Sequence, residues 1–269
     1  MPQDSLRIIP LGGIGQIGKN MMVFEYDDQL LIVDCGLMFP ESDLLGIDIV
    51  IPDMEYVFER KEQVRAIVVT HGHEDHVGGL PYLMKQVKAP LYTTRLTRGL
   101  IEVKLKEHHL LDGAELPTVD PQDILDLDPF KVEFFRVCHS IPDGVGLGIT
   151  TPVGLVVHSG DFKFDQTPVD GKLTDFAKLA ELGGRGVHVL FSDSTNSETT
   201  GQTPSEQVVG ETFDRIFARA EGRIIVATFA SNISRVQQVA DTAHKYGRRV
   251  GLVGRSMVNY AKQAAKLGY

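Results

Sequence analysis

Six consecutive residues, His71-Gly-His73-Glu-Asp75-His76, carry four side chains able to ligate a metal, and they follow directly on the apolar run 66–70, AIVVT. Their spacing does not match one face of a helix, where neighbours lie three and four residues apart. It suits a loop whose side chains converge on more than one metal. Imidazoles with a carboxylate are a donor set for zinc, and for manganese where oxygen ligands dominate. Packing and solvation give no reason to gather three histidines and an aspartate in so short a stretch.

Other metal-type residues fall at equivalent places. Asp34 ends the run 30–33, His139 follows 131–137, Asp161 follows 154–159 and Asp193 follows 187–191. Strands of a common sheet bring their ends together along one edge, which would gather these four residues around the 71–76 loop. Taken singly, Asp34 could cap a turn and His139 could be a core histidine; the repeated placement favours a site. His158 and His188 lie within strand runs and are expected to face sheet neighbours. His108 and His109 close a helix, where cations suit the dipole. Cys35 and Cys138 form no C-x-x-C pair and read as small buried residues. Two cysteines exclude a disulfide framework and favour a reduced, cytoplasmic setting.

With 269 residues, the chain has room for one large domain or two ordinary ones. The first part reads as strands with a few helices: a hairpin over 21–26 and 30–33, and helices over 78–87 and 95–109. A polar stretch, 195–203, reads as a linker. Beyond it the pattern becomes alternating α/β. Thr203-Pro-Ser-Glu206 has the form of a capping box, strands are expected at 223–228 and 249–253, and helices at 231–246 and 256–267. The expected domains are therefore 1–197 and 203–269, the second with a parallel sheet. Gly13-Ile-Gly15-Gln-Ile-Gly18, with Asp34 downstream, imitates a dinucleotide-binding fingerprint. The following residues, 20–26, form a strand pattern rather than a helix, so the glycines read as a turn between strands. No apolar run is long enough to span a bilayer, and the N-terminus lacks a secretory pattern. Charge is unevenly divided. Residues 1–200 hold 17 basic and 31 acidic side chains, whereas residues 201–269 hold ten and five. This asymmetry fits an acidic working part and a basic partner-facing part, or an ordinary solvated surface.

The H-x-H-x-D-H motif, with Asp34 upstream and His139 and Asp161 downstream, resembles the metallo-β-lactamase superfamily. The stretches 11–20, 34–40, 48–53 and Ser192-Asp-Ser-Thr-Asn196 narrow the likeness to the ribonuclease J family of the β-CASP nucleases, over essentially the whole chain. The resemblance implies an α/β fold: a metallo-β-lactamase αββα sandwich, incomplete here, followed by the start of an α/β β-CASP domain. In that family the chain runs on, so this sequence reads as an N-terminal portion. The resemblance implies two zinc ions, with manganese or magnesium as substitutes. His71, His73 and His139 would hold one, Asp75 and His76 the second, and Asp161 would bridge them. Asp34 would orient the ligand loop from behind. Asp75, His76 and Asp193 would act in catalysis, Asp193 by positioning substrate or a proton. Phe229, Ala230 and Ser231 match a substrate-contacting stretch. Phe229 could stack a base and Ser231 could help hold a phosphate, or Phe229 could be core and Ser231 a helix cap.

The implied activity is zinc-dependent hydrolysis of RNA, 5′-to-3′ exonuclease with endonuclease cleavage, in RNA maturation, including rRNA processing, and decay. The implied partner is single-stranded RNA, preferably 5′-monophosphorylated. No membrane partner is expected, and the full-length protein is expected to form a homodimer or larger homo-oligomer. A small-molecule thioesterase or lactonase would share every ligand, and a non-catalytic RNA-binding fragment is the other rival.

Overall fold

Alternation along the strands decides the layers. The computed structural model describes residues 5–269, so residues 1–4 of the expected first domain lie outside the described residues. One sheet runs β1 (Arg7–Gly12), β2 (Met21–Tyr26), β3 (Gln29–Val33), β4 (Val64–Val68) and β5 (Leu91–Tyr92), in that order. The other contains β6 (Ile124–Leu127), β7 (Phe130–Arg136), β8 (Val145–Thr151), β9 (Gly154–His158) and β10 (Val187–Phe191), in the order β10-β9-β8-β7-β6. Both sheets are mixed: β3, β4 and β5 are parallel, as are β9 and β10, and the other pairs are antiparallel.

Successive side chains in a strand point to opposite faces. On β2 and β3, Met22, Phe24, Leu31 and Val33 meet Val132, Phe134, Leu147 and Ile149 of the facing sheet. The alternate residues Met21, Val23, Leu30 and Ile32 lie under helices. These helices are α1 (Glu55–Phe58), α2 (Glu74–Val77), α3 (Leu80–Met84) and α4 (Arg95–Glu107). On the far side, Phe135, Leu155 and Val157 pack on Leu182 of α5 (Phe176–Gly184). The result is the expected αββα sandwich. Of the expected helix over 78–87 only the part 80–84 forms, as α3, and the separate turn α2 precedes it. Two glycines separate them, and the Gly79 N–H donates to Cys35 O instead of continuing a helix.

The last third departs from expectation. Helices α6 (Gln207–Arg219), α7 (Ile233–Lys245) and α8 (Arg255–Leu267) form, but 223–228 and 249–253 are not strands. A strand exists through its ladder, and among the described residues no strand lies beside these segments; Ile225 and Val253 are 88% and 90% exposed. The parallel sheet expected for the second unit is therefore not formed. Nor is the capping box. Glu206 itself occupies the N-cap with helical dihedrals, and its side chain makes no capping bond; the Gln207 N–H is taken by Ser205 Oγ over 3.1 Å. The Glu206 carboxylate instead pairs with Lys163 (2.8 Å) and Arg235 (2.7 Å). At α7 the cap is Asn232, whose Oδ1 accepts from the Arg235 N–H, and not Ser231. The unit packs back on the sandwich through α8. Tyr260 and Ala264 join Ile233 against Leu96, Leu100 and Ile141. Gly99 permits this approach, since a Cβ there would lie 2.7 Å from Leu267 Cδ1.

On the outer face of the second sheet, buried Glu133 accepts from Lys178 Nζ (2.7 Å) and Arg185 Nη1 (2.6 Å). Burial works against the carboxylate, but the two cations outweigh it and hold its pKa below the usual glutamate value. The carboxylate therefore contributes stability above the unfolded pKa, and this is lost as pH falls through the folded value. Glu133→Gln should lower stability at pH 7 by about 1–2 kcal/mol. The gap from the parent should close as denaturation is followed into acid below the folded pKa; a pH-independent gap would contradict the assignment.

Candidate metal centre

The expected ligands come together at the ends of β3, β4, β7, β9 and β10. Strands β3 and β4 run parallel, and β7, β9 and β10 share one direction, so each set delivers its last residues to one edge. Asp34 leaves β3 in a left-handed conformation, φ 60°, which turns its carboxylate back toward β4. That carboxylate accepts from the Thr70 N–H (2.8 Å) and the Thr70 hydroxyl (2.9 Å), and Nδ1–H of His76 donates to it over 2.8 Å. With its proton directed to Asp34, the Thr70 oxygen accepts from Nδ1–H of His71 at 3.1 Å. This leaves the Nε2 lone pair of His71 facing the centre.

The ligand stretch is half loop and half helix. His71 and His73 lie in extended chain, while Asp75 and His76 sit on α2, whose single turn starts after His73. Residues 34–37 run alongside α2: Cys35 N–H donates to His76 O and Leu37 N–H to Glu74 O. Gly36 is required there, because a Cβ would fall 1.6 Å from Asp75 O. Asn20, at the end of the glycine turn, donates through Nδ2 to Asp75 O (3.1 Å) and lies 3.1 Å from His76 Nε2.

Two overlapping sets of donors result: His71, His73 and His139, and His71, His76 and Asp161. His73 Nδ1 lies 3.1 Å from both His71 Nε2 and His139 Nε2. Asp161 sits between the sets, with Oδ1 3.2 Å from His76 Nε2 and Oδ2 3.7 Å from His139 Nε2. Asp75 Oδ2 is 3.5 Å from His76 Nε2. Burial lowers the pKa of His71, and the neighbouring imidazoles lower it further. His73 is pushed down to about 3 by burial and by His139, and burial also lowers His139. These three rings are neutral at pH 7, and their lone pairs converge. His76 differs. Burial disfavours its charged form, but Asp34 and Asp161 outweigh burial and hold its pKa well above the usual value. Burial likewise opposes the charge on Asp161, and the histidines, His76 foremost, override it and keep it a carboxylate. Converging neutral imidazoles beside an ionised carboxylate fit a divalent cation, which would replace mutual lone-pair repulsion with coordination.

The centre opens into a cleft of about 810 Å³ between the glycine turn and residues 190–199, with Asp75, His76 and Asp161 among its lining residues. Asp193 lines it too. Its carboxylate accepts from Thr195 N–H (2.8 Å) and Phe162 N–H (3.4 Å), and its own N–H donates to Ser159 Oγ. Phe229 is 75% exposed and so is not core, Ala230 packs at the interface between the two units, and Ser231 is buried. His158 accepts from the Gly160 N–H through Nδ1 and takes no part in the donor sets. Thr70 and Asn20 escaped the sequence reading. Nothing in the local pattern marks a threonine that bridges a carboxylate and an imidazole, although Asn20 does close a family-like stretch.

The Metallo-beta-lactamase superfamily model matches residues 14–202. The chain belongs to the metallo-β-lactamase superfamily. Within it, the sequence aligns with the ribonuclease J group: residues 221–269 match the model described as Ribonuclease J, beta-CASP domain. The chain is 47% identical to Ribonuclease J of Thermus thermophilus, with 100% of this chain and 48% of that protein covered. It is 50% identical to Ribonuclease J of Synechocystis sp., covering 99% and 42%, and 44% identical to Ribonuclease J2 of Bacillus subtilis, covering 99% and 48%. It thus spans about half the length of these relatives. A solved protein of unknown function from Enterococcus faecalis shares the fold, with TM-score 0.68 and 17% identity over 98% of this chain and 68% of that one. Among the described residues, no helix is long and apolar enough to cross a membrane.

Asp34→Asn keeps the side-chain shape and removes the charge that directs His76. It should weaken metal binding, read with zinc in a chelator-competition titration, by about 10- to 100-fold. Unchanged affinity would show that Asp34 serves the fold and not the centre.

Proposed function

We propose that the protein is the metal-bearing part of a ribonuclease that hydrolyses RNA phosphodiester bonds with two zinc ions. The observation that carries this is the pair of donor sets sharing His71 and joined at Asp161, in a chain whose relatives are called ribonucleases J. His71, His73 and His139 would hold one ion, and Asp75 and His76 the other, with Asp161 between them; manganese or magnesium are substitutes of the second rank. When bound, the ions would lower the pKa of a water toward 7 and neutralise charge on the phosphate. The chain's own residues do the rest. Asp34 and Thr70 fix the imidazoles in the tautomers that face the centre. Asp193, whose charge acts on His139, would receive or position a proton at the mouth of the cleft. Exposed Phe229 would stack on a base, while Ala230 and Ser231 lead into the N-terminus of α7.

The basic balance of residues 201–269 supports a polyanionic substrate over a small one. Arg235 and Arg248 have other duties, on Glu206 and on the carbonyls of Gly222 and Ala220, whereas Arg249 and Arg255 are exposed. For the full-length protein the reading extends to 5′-to-3′ exonuclease action on 5′-monophosphorylated strands, with endonuclease cleavage, in a homo-oligomer. A reducing cytoplasm suits the buried free thiols of Cys35 and Cys138.

Metal analysis of the intact protein should give about two equivalents of zinc-type ion; a value near zero after careful handling would remove the centre. His73→Ala should abolish cleavage of a test RNA while a gel shift persists, because phosphate contacts elsewhere supply most of the affinity. Loss of both together would argue against that separation. Replacing Arg249 and Arg255 should flatten log affinity against log salt by roughly 0.7 per lost phosphate contact. An intact slope would move the RNA path away from these residues.

A further inference from the structure

Within the ligand motif, Glu74 carries a carboxylate that enters neither donor set. Both of its carboxylate oxygens are taken, by two different parts of the molecule. Lys104 Nζ on α4 donates to Oε2 over 2.7 Å, and the Tyr260 hydroxyl on α8 donates to Oε1 over 2.9 Å. Tyr260 is 5% exposed and lies 186 positions away in sequence, in the second unit. Glu74 stands directly between His73 and Asp75 and begins α2.

A helix of one turn has no stability of its own, because nucleation costs more than a single turn returns. The placement of α2 must therefore come from outside it. Its backbone is held by residues 35–37, as described. Three side chains anchor it: Val77 in the core under the first sheet, His76 through Asp34, and Glu74, which reaches the second unit. We propose that Tyr260, together with Lys104, is a positioning residue for the metal centre: the second unit fixes Glu74, and through α2 it sets where Asp75 and His76 stand. The second unit then does more than offer a surface to substrate. The seating of α8 on α4 and the geometry of the Asp75–His76–Asp161 side of the centre become one variable. A plain structural ion pair would join α8 to the sandwich with no effect on the ligands, and the two cases differ in what they predict.

This inference rests on the reading of the centre as a metal site, so the test begins with the unaltered 269-residue chain. Stripped of metal, it is titrated with zinc against a chromophoric chelator. Tyr260→Phe, which removes one oxygen, should weaken the second equivalent about tenfold or more and leave the first nearly unchanged. The melting temperature of the metal-free chain should stay close to the parent's. Glu74→Gln should have a similar effect, and the Tyr260→Phe/Glu74→Gln double variant should be no weaker than Glu74→Gln alone. Lys104→Met probes the same carboxylate from the sandwich side and serves if Tyr260→Phe does not fold. Parent-like affinity for both equivalents, or a lowered melting temperature with affinity intact, would overturn the proposal. If the unaltered chain binds no zinc, the centre itself falls, a result distinct from zinc binding that is indifferent to Tyr260.

Discussion

A single buried carboxylate organises the centre. Asp34 is almost wholly inaccessible, and a charge in that position is tolerable only with full compensation. It accepts from a backbone N–H, a hydroxyl and an imidazole, which belong to the end of β4 and to α2. Each of these bonds serves the site as well as the charge. The hydroxyl, once committed to Asp34, sets the tautomer of His71, and the imidazole so held presents Nε2 of His76 to Asp161. Remove the charge, and two ligands lose their orientation at once.

The electrostatics divide the centre into unlike halves. Around His73 the rings are neutral and offer lone pairs without first releasing protons. At His76 the two aspartates favour a proton, so a cation and a proton compete for the same nitrogen. With the proposed metal bound, the carboxylate-rich half would therefore exchange metal for protons as pH falls, while the imidazole half would be limited mainly by the geometry of its three rings. That difference follows from Asp34 and Asp161 lying beside one histidine and not beside the others.

What could be read from the sequence was whatever depends on strand direction and residue chemistry. The apolar runs before Asp34, His71, His139, Asp161 and Asp193 point to a shared edge, because a strand carries its last residue to a predictable place. Contacts that depend on the path of a loop were not legible. Thr70 and Asn20 act through hydrogen bonds set by tertiary approach, and Gly36 matters only because Asp75 O passes where its Cβ would be. The misses in the second unit share a cause. Apolar β-like runs at 223–228 and 249–253 specify strands only where a ladder is available, and among the described residues none lies beside them. Glu206 could have closed a capping box, but two cations offer its carboxylate stronger partners than a helix N–H.

The joint between the two units lies close to the chemistry. Lys163, whose backbone N–H donates to Cys138 O next to His139, holds Glu206 at the start of α6, and Glu206 in turn holds Arg235 on α7. Asp165 adds a bond to the Glu206 N–H. On the other side of the centre, Glu74 meets α8. The second unit is thus tied to the sandwich next to the imidazole half and next to the carboxylate half. This arrangement answers an electrostatic difficulty. The proposed polyanionic substrate would be repelled by the acidic sandwich and attracted by the basic unit, so productive binding would require the basic surface to be fixed relative to the centre. Flexible attachment would let such a substrate follow the positive charge away from the candidate ligands. Two separate sets of charged and hydrogen-bonded contacts, through Lys163 and through Glu74, join the two units within a residue or two of those candidates and would make the position of the basic surface part of the proposed site.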